Sequence, residues 1–451
     1  MLADAENADK GKILLACALL AMLNGCSTPC DGPGRLCAPV TSITSTLTST
    51  PLAQQERHAA APVPAAPSAS EAAQTFAVAD PDIALEKSAG QGAVASPGTG
   101  AASPVRIALI LPLRSPTLGQ AASAVRDGFM AAWQRDASGF IVNLIDSGGA
   151  GPDLPADAVN TYALAVAQND IVVGPLERSS VSAVASSGLV SKPTLALNHP
   201  DGAGALPPQM LLIGLSVEDE ARQVARWANA EQPEAMALIL SSHQAWQRRT
   251  VNAFTEQWQR MGGLTHSLEL NENFSNSDLL QLRQQLKTQL EQQAPAILFA
   301  ALDAGQLRQL DILGGALAVY GTSSLNSGNA SVAQNASAES SSAPPKPNLD
   351  GVRLLDLPWQ VQRDHPAVMV YPHLLASDIR SHNADLERLY ALGIDAFRIA
   401  REIALHPASA FQIDGVTGRL SVSFGQGPAH FERVEQSAVY RNGVLVPLAG
   451  K

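Results

Sequence analysis

The sequence contains no cysteine after residue 37, because Cys17, Cys26, Cys30 and Cys37 are the only four in a chain of 451 residues. The remainder of the chain can therefore form neither a disulfide nor a thiolate metal site. Basic residues are also scarce: 30 Lys and Arg stand against 41 Asp and Glu, which gives a formal net charge of −11. Nucleic-acid-binding proteins need a basic surface to displace counterions, so this composition excludes a dominant role of that kind.

Aromatic residues make up only 4% of the chain and charged residues 16%, whereas hydrophobic residues make up 46%. These proportions are typical of an alanine-rich globular protein rather than of a charged disordered chain. At roughly 150 residues per domain, the length predicts two or three structural units.

The apolar run at residues 13–23 is too short to span a bilayer, which takes roughly 20 helical residues. It fits the apolar region of a signal peptide, which predicts that residues 1–25 are removed. Leu23, Asn24 and Gly25 precede Cys26, and this order resembles the lipobox of bacterial lipoproteins, in which the cysteine is acylated. The alternative is an ordinary cleaved signal peptide with a coincidental cysteine. By the same resemblance, Ser27 in place of Asp favours the outer membrane.

Two stretches have the composition of disordered chain. Residues 26–103 are rich in Ala, Pro, Ser, Thr and Gly and cannot bury enough apolar area to offset the entropy of ordering, so we interpret them as a flexible linker. Residues 323–348 interrupt otherwise periodic sequence, and we interpret them as a disordered surface insertion. Whether Cys30 and Cys37 form a disulfide within the linker stays open.

The rest of the chain alternates short apolar runs with amphipathic helical patterns, which predicts repeated βαβ units and mostly parallel sheets covered by helices. The rhythm runs from residue 105 to about 197, with Ser179 or Ser180 predicted to cap a short helix, and it starts again after Gly214. Two successive α/β sheets predict two lobes. The C-terminal part returns to a helix over 385–405 and ends in β segments at 419–424, 432–440 and 444–447.

No catalytic constellation is found in the residues after 103. The motifs HExxH, GxSxG, GxxxxGK[ST], CxxC and SxxK are absent there, so we expect no enzyme activity. The glycine loop at 148–151 lacks the spacing and the lysine of a phosphate-binding loop, and a metal site is not expected either. No cofactor is predicted.

Short segments at predicted strand ends resemble a known family. They are IALILPL at 107–113, DGF at 127–129, IVVGPL at 171–176, TLALN at 194–198, YGTS at 320–323, DGVR at 350–353, DLPW at 356–359, RLYALGIDAF at 388–397 and GVTGRL at 415–420. In this order and spacing they resemble the C-terminal domain of the LpoA-type penicillin-binding protein activators. The resemblance covers about residues 104 to 451.

This resemblance implies the two-lobed type I periplasmic-binding-protein-like fold, in which the chain crosses three times between lobes. The implied lobes are residues 104–214 with 358–414, and residues 215–357 with 415–451. It also implies an outer-membrane lipoprotein, facing the periplasm, that binds and activates a class A penicillin-binding protein. The helical-repeat domain that precedes this module in better-known members is replaced here by the linker, which we expect to supply the reach.

A small-molecule receptor is the competing interpretation, because type I binding proteins hold amino acids or other small ligands between their lobes. Candidate ligand contacts are polar residues near predicted strand ends. They are Arg114, Ser115, Ser179, Ser180, Asn198 and His199 in the first lobe, and Ser241, Asp303, Tyr320 and Thr322 in the second. Asp303 has a second interpretation as a helix cap, and these polar side chains could also merely line a wet or closed cleft.

Overall fold

The computed structural model describes residues 103–148, 154–202, 204–270, 276–293, 295–310, 317–326, 349–373 and 383–449. The predicted signal peptide, the lipidation site Cys26, nearly all of the predicted linker and most of the predicted insertion lie outside these residues. The described helices include none that is long and apolar enough to cross a membrane.

The first lobe is built on a parallel sheet of five strands in the order β2-β1-β3-β4-β5. Its strands are β1 (Val105–Leu111), β2 (Phe140–Asp146), β3 (Ile171–Val173), β4 (Thr194–Ala196) and β5 (Met210–Leu212). Its helices are α1 (Gly119–Arg135), α2 (Leu154–Gln168) and α3 (Arg178–Ser186). The central strand β1 is buried on both faces, which explains why its sequence is a continuous apolar run rather than an alternating one.

The second lobe is built on a mixed sheet of seven strands in the order β15-β14-β10-β9-β8-β6-β7. Its strands are β6 (Met236–Ser242), β7 (Leu264–Leu270), β8 (Ile297–Ala300), β9 (Ala318–Gly321), β10 (Arg353–Asp356), β14 (Gln436–Arg441) and β15 (Val444–Pro447). The helices are α4 (Val217–Glu231), α5 (Ala245–Arg260), α6 (Asn276–Gln293) and α7 (Ala304–Leu310). Strands β6 to β10 pair in parallel, whereas β14 and β15 pair antiparallel.

The chain after β10 returns to the first lobe. It forms the short helices α8 (Pro358–Val361) and α9 (Pro366–Met369), the long helix α10 (Ala384–Leu405), and an antiparallel sheet of β11 (Ala410–Asp414), β12 (Arg419–Ser423) and β13 (His430–Val434). Apolar side chains of this sheet, among them Ile413, Leu420 and Val422, belong to the same core as β1 and α1. The predicted lobe boundary at 414/415 is therefore wrong, because it falls in the β11–β12 turn. The chain leaves for the second lobe only after β13.

Helices α1 and α10 approach each other so closely that only glycine fits at two positions. A Cβ atom on Gly128 would lie 1.9 Å from the Tyr390 carbonyl oxygen, and one on Gly393 would lie 2.1 Å from the Val125 carbonyl oxygen. The rings of Phe129 and Phe397 meet edge to face beside them, with centroids 5.4 Å apart. These contacts fasten α10, which comes late in the chain, onto the first lobe.

Two local predictions need correction. The predicted insertion begins too early, because residues 323–325 form a 3-10 helix in which Ser323 and Leu325 are buried. The predicted cap of α3 is also wrong: Glu177 occupies that position with an extended backbone, and the Ser180 hydroxyl donates to the Glu177 carboxylate at 3.1 Å. Sequence patterns identify small polar residues at a helix start, but tertiary packing decides which residue begins the helix.

Candidate functional site

The first-lobe candidates are occupied by contacts within the fold. Arg114 forms an ion pair with Asp146, and the Ser115 hydroxyl accepts a hydrogen bond from the Leu118 amide at 3.2 Å. The Asn198 amide donates to the Leu176 carbonyl at 3.0 Å and so ties together the loops after β3 and β4. These side chains stabilise the strand ends, and their polar groups are bonded to other groups of the protein.

Three further candidates lie near the start of α3 or beside α4. Ser180 is buried, and Ser179 is half-buried beside it. His199 lies 3.8 Å from the Asp219 carboxylate, and burial is the largest effect on its imidazole and lowers its pKa. His199 also lines a cavity of about 260 Å³.

The second-lobe candidates also serve local structure. The Asp303 carboxylate accepts from the Gln306 amide at 2.8 Å, and the Gln306 side chain accepts from the Asp303 amide at 3.1 Å. This reciprocal pair is a capping box, so the interpretation of Asp303 as a helix cap is confirmed. Thr322 is fully buried and shares a hydrogen bond with the Ser324 hydroxyl, and Ser241 is buried on β6.

Tyr320 belongs to a different cluster. Its hydroxyl donates to the Glu231 carboxylate at 2.6 Å and accepts from Arg353 at 2.7 Å. Burial raises the pKa of Tyr320 to about 12, so the phenol stays protonated. The ten candidates are therefore not gathered into one binding site.

The residues that sequence reasoning missed lie where the chain crosses between the lobes. The three crossovers are residues 213–216 between β5 and α4, Leu357 between β10 and α8, and Glu435 between β13 and β14. Each carries or contacts buried charged side chains. Asp356 precedes the second crossover and is completely buried.

Arg388, near the start of α10, is the centre of a buried polar network. Its Nε and Nη2 donate to both oxygens of Asp356 at 3.0 and 2.8 Å. Its Nη2 also donates to the carbonyl oxygens of Ser323 and Asn326, each at 3.0 Å. Bidentate guanidinium–carboxylate pairs are strong and directional. Arg388 thus ties a first-lobe helix to a second-lobe loop and to the second crossover.

Glu220 on α4 completes this network from the second lobe. Its carboxylate accepts from the Ser323 amide at 2.8 Å and from the Ser323 hydroxyl at 3.0 Å. Burial is the largest effect on this group and raises the pKa of Glu220 to about 7, although the hydrogen bonds from Ser323 and the charge of Arg388 oppose the shift. The network therefore holds an acid that titrates near neutral pH.

A second buried arginine joins the first and third crossovers. Arg433 donates to the Ile213 and Gly214 carbonyl oxygens at 2.7 and 2.9 Å and to the Thr417 hydroxyl at 3.1 Å. Thr417 in turn donates to the buried Asp395 carboxylate of α10 at 2.7 Å. Two arginines therefore fix the three crossovers against α10, and a relative movement of the lobes would have to break charge-assisted hydrogen bonds.

A groove of about 1000 Å³, which we call the hinge groove, lies beside the second and third crossovers. It is bordered by α4, by the β11–β12 hairpin and by the chain around Glu435, and Glu231 and Arg353 line it. Gln223, Arg226, Glu432 and Glu435 line both the hinge groove and the cavity that contains His199. None of the ten sequence candidates lines the hinge groove. Among the residues that the structure describes, no cluster of acidic, histidine or cysteine side chains could hold a metal ion.

The buried network predicts that stability depends on pH. The pKa of Glu220 is about 7 in the folded protein, against a reference of 4.5, so the folded state binds more protons than the unfolded state between these values. The free energy of unfolding should therefore fall as pH rises through this window, by up to about 3 kcal/mol from Glu220. Urea unfolding between pH 5 and about 8 measures it.

Glu220→Gln isolates this effect, since a glutamine does not titrate. We expect the difference in stability between the variant and the parent to change with pH over the same window. The control is Glu256→Gln, because Glu256 is an exposed glutamate on α5 with 60% of its side chain accessible. Parallel curves for the parent and Glu220→Gln would contradict the assignment.

Two lobes of mostly parallel sheet, each covered by helices and joined by three crossovers, define the type I periplasmic-binding-protein-like fold. The model of the family described as "LppC putative lipoprotein" matches residues 100–443. The chain belongs to this lipoprotein family.

Solved structures agree with this fold. The C-domain of LpoA from Haemophilus influenzae, described as a regulator of PBP1A, superimposes with a TM-score of 0.58 at 22% identity, over 76% of this chain and 100% of that one. A Chromobacterium violaceum protein described as "a putative branched-chain amino acid ABC transporter" is 34% identical, with a TM-score of 0.56, over 74% of this chain and 100% of that one. The predicted fold class is confirmed.

Curated relatives carry the name penicillin-binding protein activator LpoA. The protein from Yersinia pseudotuberculosis is 27% identical over 77% of this chain and 62% of its own length. The protein from Vibrio cholerae is 30% identical over 71% of this chain and 54% of its own length. The resemblance to LpoA-type activators is confirmed, and the chain spans between half and two thirds of the length of these two relatives.

Proposed function

We propose that this chain is an outer-membrane lipoprotein that binds a class A penicillin-binding protein and raises its activity in peptidoglycan synthesis. In this proposal Cys26 carries the lipid, residues 26–103 form the tether, and residues 104–451 face the periplasm as a regulator without catalytic activity of their own. The observation that carries it is the similarity of about three quarters of the chain to proteins named as activators.

The contacts of the candidate side chains favour a regulator over a ligand-driven receptor. The polar groups of Arg114, Asn198 and Asp303 form an ion pair or hydrogen bonds at strand ends and at a helix cap. Arg388 and Arg433 fix the crossovers with buried hydrogen bonds. A body of this kind is suited to present a constant surface to a protein partner, because opening and closing its lobes would disrupt these contacts.

The direct test is a peptidoglycan cross-linking assay with a purified class A penicillin-binding protein from the same organism. We expect the fraction of cross-linked product to rise at least twofold when the full-length chain is added, and the two proteins to co-purify. The control is the same chain after heat denaturation. An unchanged cross-linked fraction with every class A synthase of the organism would overturn the proposal.

A receptor for a small ligand in the inter-lobe cleft is the second candidate. It is supported by the 34% identity to the Chromobacterium violaceum protein, which is described as a branched-chain amino acid ABC transporter. A rise in melting temperature with leucine, isoleucine or valine, together with no effect on cross-linking, would favour it. The shift in melting temperature and the change in cross-linking are independent of each other, so the two measurements distinguish a receptor from an activator.

A further inference from the structure

The hinge groove is not used by the proposed function and has the chemistry of a binding site. Its volume of about 1000 Å³ lies at the upper end of the range for small-molecule pockets, which is roughly 300–1000 Å³. Its walls combine the Trp227 side chain and the apolar Leu355 and Val439 with charged groups of both signs. Such a mixture suits a ligand that has apolar parts and two opposite charges.

Glu435 is the most unusual of the groove residues. It is the single residue between β13 and β14, and only 8% of its surface is exposed. Its backbone amide donates to the Gln223 side chain at 3.1 Å, yet its Oε2 is buried and accepts no hydrogen bond from the residues that the structure describes. A buried carboxyl oxygen without a partner is rare in folded proteins and needs an explanation. Since Glu435 lines the groove, a donor bound there could approach the carboxyl group.

The charges around Glu435 agree with an acid that lacks its partner. Burial is the largest effect and raises the pKa of Glu435 well above its usual value. Glu220 and Asp219 from α4 and Asp356 from the end of β10 act in the same direction, and the adjacent Arg433 opposes them. A ligand that brought a positive charge to this position would lower that pKa, and the carboxyl group would bind it in the ionised form.

Cationic side chains supply the opposite pole. Arg226 on α4 lines both the hinge groove and the adjoining cavity, as Glu435 does, and it is exposed. Arg419 on β12 and Arg441 on β14 also line the groove and are exposed. Among the described residues these three arginines form no ion pair, whereas Arg353 is paired with Glu231 at 2.7 Å. An arginine without a carboxylate partner is well suited to bind a ligand carboxylate.

We propose that the hinge groove binds a short peptide with a free amino terminus and a free carboxyl terminus. The amino group is held by Glu435, the terminal carboxylate by Arg226 with help from Arg419, and the side chains lie against Trp227. The groove is larger than a single amino acid needs, and for this reason the proposal names a peptide of a few residues. The groove lies at the second and third crossovers, where Pro358 and Glu435 line it. Because it is also lined by α4 of the second lobe and by the β11–β12 hairpin of the first lobe, an occupant bridges both lobes.

The test is isothermal titration calorimetry of the full-length chain with trialanine at pH 7.5. We expect saturable binding with a dissociation constant below about 1 mM. N-acetyl-trialanine lacks the ammonium group and trialanine amide lacks the carboxylate, so each should bind at least tenfold more weakly. No saturable heat with trialanine, or equal affinity for the blocked peptides, would overturn the proposal.

Variants locate the site. Arg226→Gln should weaken trialanine binding at least tenfold, and Glu435→Gln should weaken it by a similar factor. Arg248→Gln is the matched control, because Arg248 is an exposed arginine on α5 that does not line the groove. Binding that is unchanged in Arg226→Gln would overturn the assignment even if Glu435→Gln failed to fold. These titrations contain no synthase, so their outcome is independent of the activator proposal.

Discussion

Replacing Arg388 with methionine is expected to lower the free energy of unfolding by about 3–5 kcal/mol, because the change leaves Asp356 charged and buried without its cation. Asp356 is completely buried, and Arg388 is its bidentate partner at 3.0 and 2.8 Å. Methionine fills much of the space of the arginine stem, so the loss reports mainly the broken polar contacts. The measurement is urea unfolding followed by tryptophan fluorescence.

Arg401→Met is the matched control for this experiment. Arg401 lies on the same helix, α10, and forms an ion pair with Glu402, but 33% of its side chain is exposed. Partly exposed pairs of this kind contribute at most about 1 kcal/mol. If Arg388→Met and Arg401→Met shifted the unfolding midpoint equally, the crossover network would not be the stabilising element that the structure indicates.

Gly393→Ala is expected to destabilise the protein by about 2–3 kcal/mol, although alanine favours an isolated helix over glycine by roughly 1 kcal/mol. The added Cβ would lie 2.1 Å from the Val125 carbonyl oxygen, so α1 and α10 would have to move apart. Their separation would also disturb the contact of Phe129 with Phe397. The melting temperature, followed by circular dichroism, measures the effect.

The same substitution at Gly204 provides the comparison. Gly204 is exposed, and a Cβ there would meet no atom within 4 Å. We expect Gly204→Ala to change the melting temperature by little, since surface substitutions away from special features usually stay within about 0.5 kcal/mol. A Gly393→Ala protein as stable as the parent would contradict the close helix contact.

The layered α/β architecture was predictable because the inner strands β1, β3 and β4 of the first lobe are buried on both faces. Val105–Leu111 is apolar from end to end, and the structure has β1 over these same residues. Helices carry an apolar stripe at helical spacing, and the helix predicted over 385–405 is observed as α10 over Ala384–Leu405. The topology followed mainly from the family resemblance, since periodicity does not specify how strands are ordered.

Lobe boundaries were harder to predict, because a change of sheet leaves little trace in local periodicity. The pattern over residues 432–440 predicted one β segment, but Glu435 divides it into β13 and β14, which belong to different sheets. The one local signal was a glutamate inside a β-type pattern. Similarly, residues 323–326 have a polar composition typical of a loop, yet Ser323 and Asn326 are buried because Glu220 and Asp356 satisfy their polar groups.

The candidate site was largely missed for a related reason. Polar residues stand at strand ends, where ligands often bind, but most of them bond to nearby groups of the protein itself, including helix starts and the helix α4. Arg388 and Asp356 stand far apart in sequence and belong to the segments that carry the resemblance. An arginine on the apolar face of α10 was the available signal, and only the fold shows its partner.

The late position of α10 in the chain has a consequence for biosynthesis. The first core contains β1 and α1 near one end of the folded sequence, but Phe397 and other α10 side chains complete it. During synthesis and export, Val125 and Phe129 stay without their α10 partners until α10 has been made. The helices α4 to α7 of the second lobe are all made before it. The first lobe therefore cannot complete its core until most of the second lobe has been made, and chains truncated before Leu405 should be recognised by quality-control proteases with β1 and α1 still uncovered.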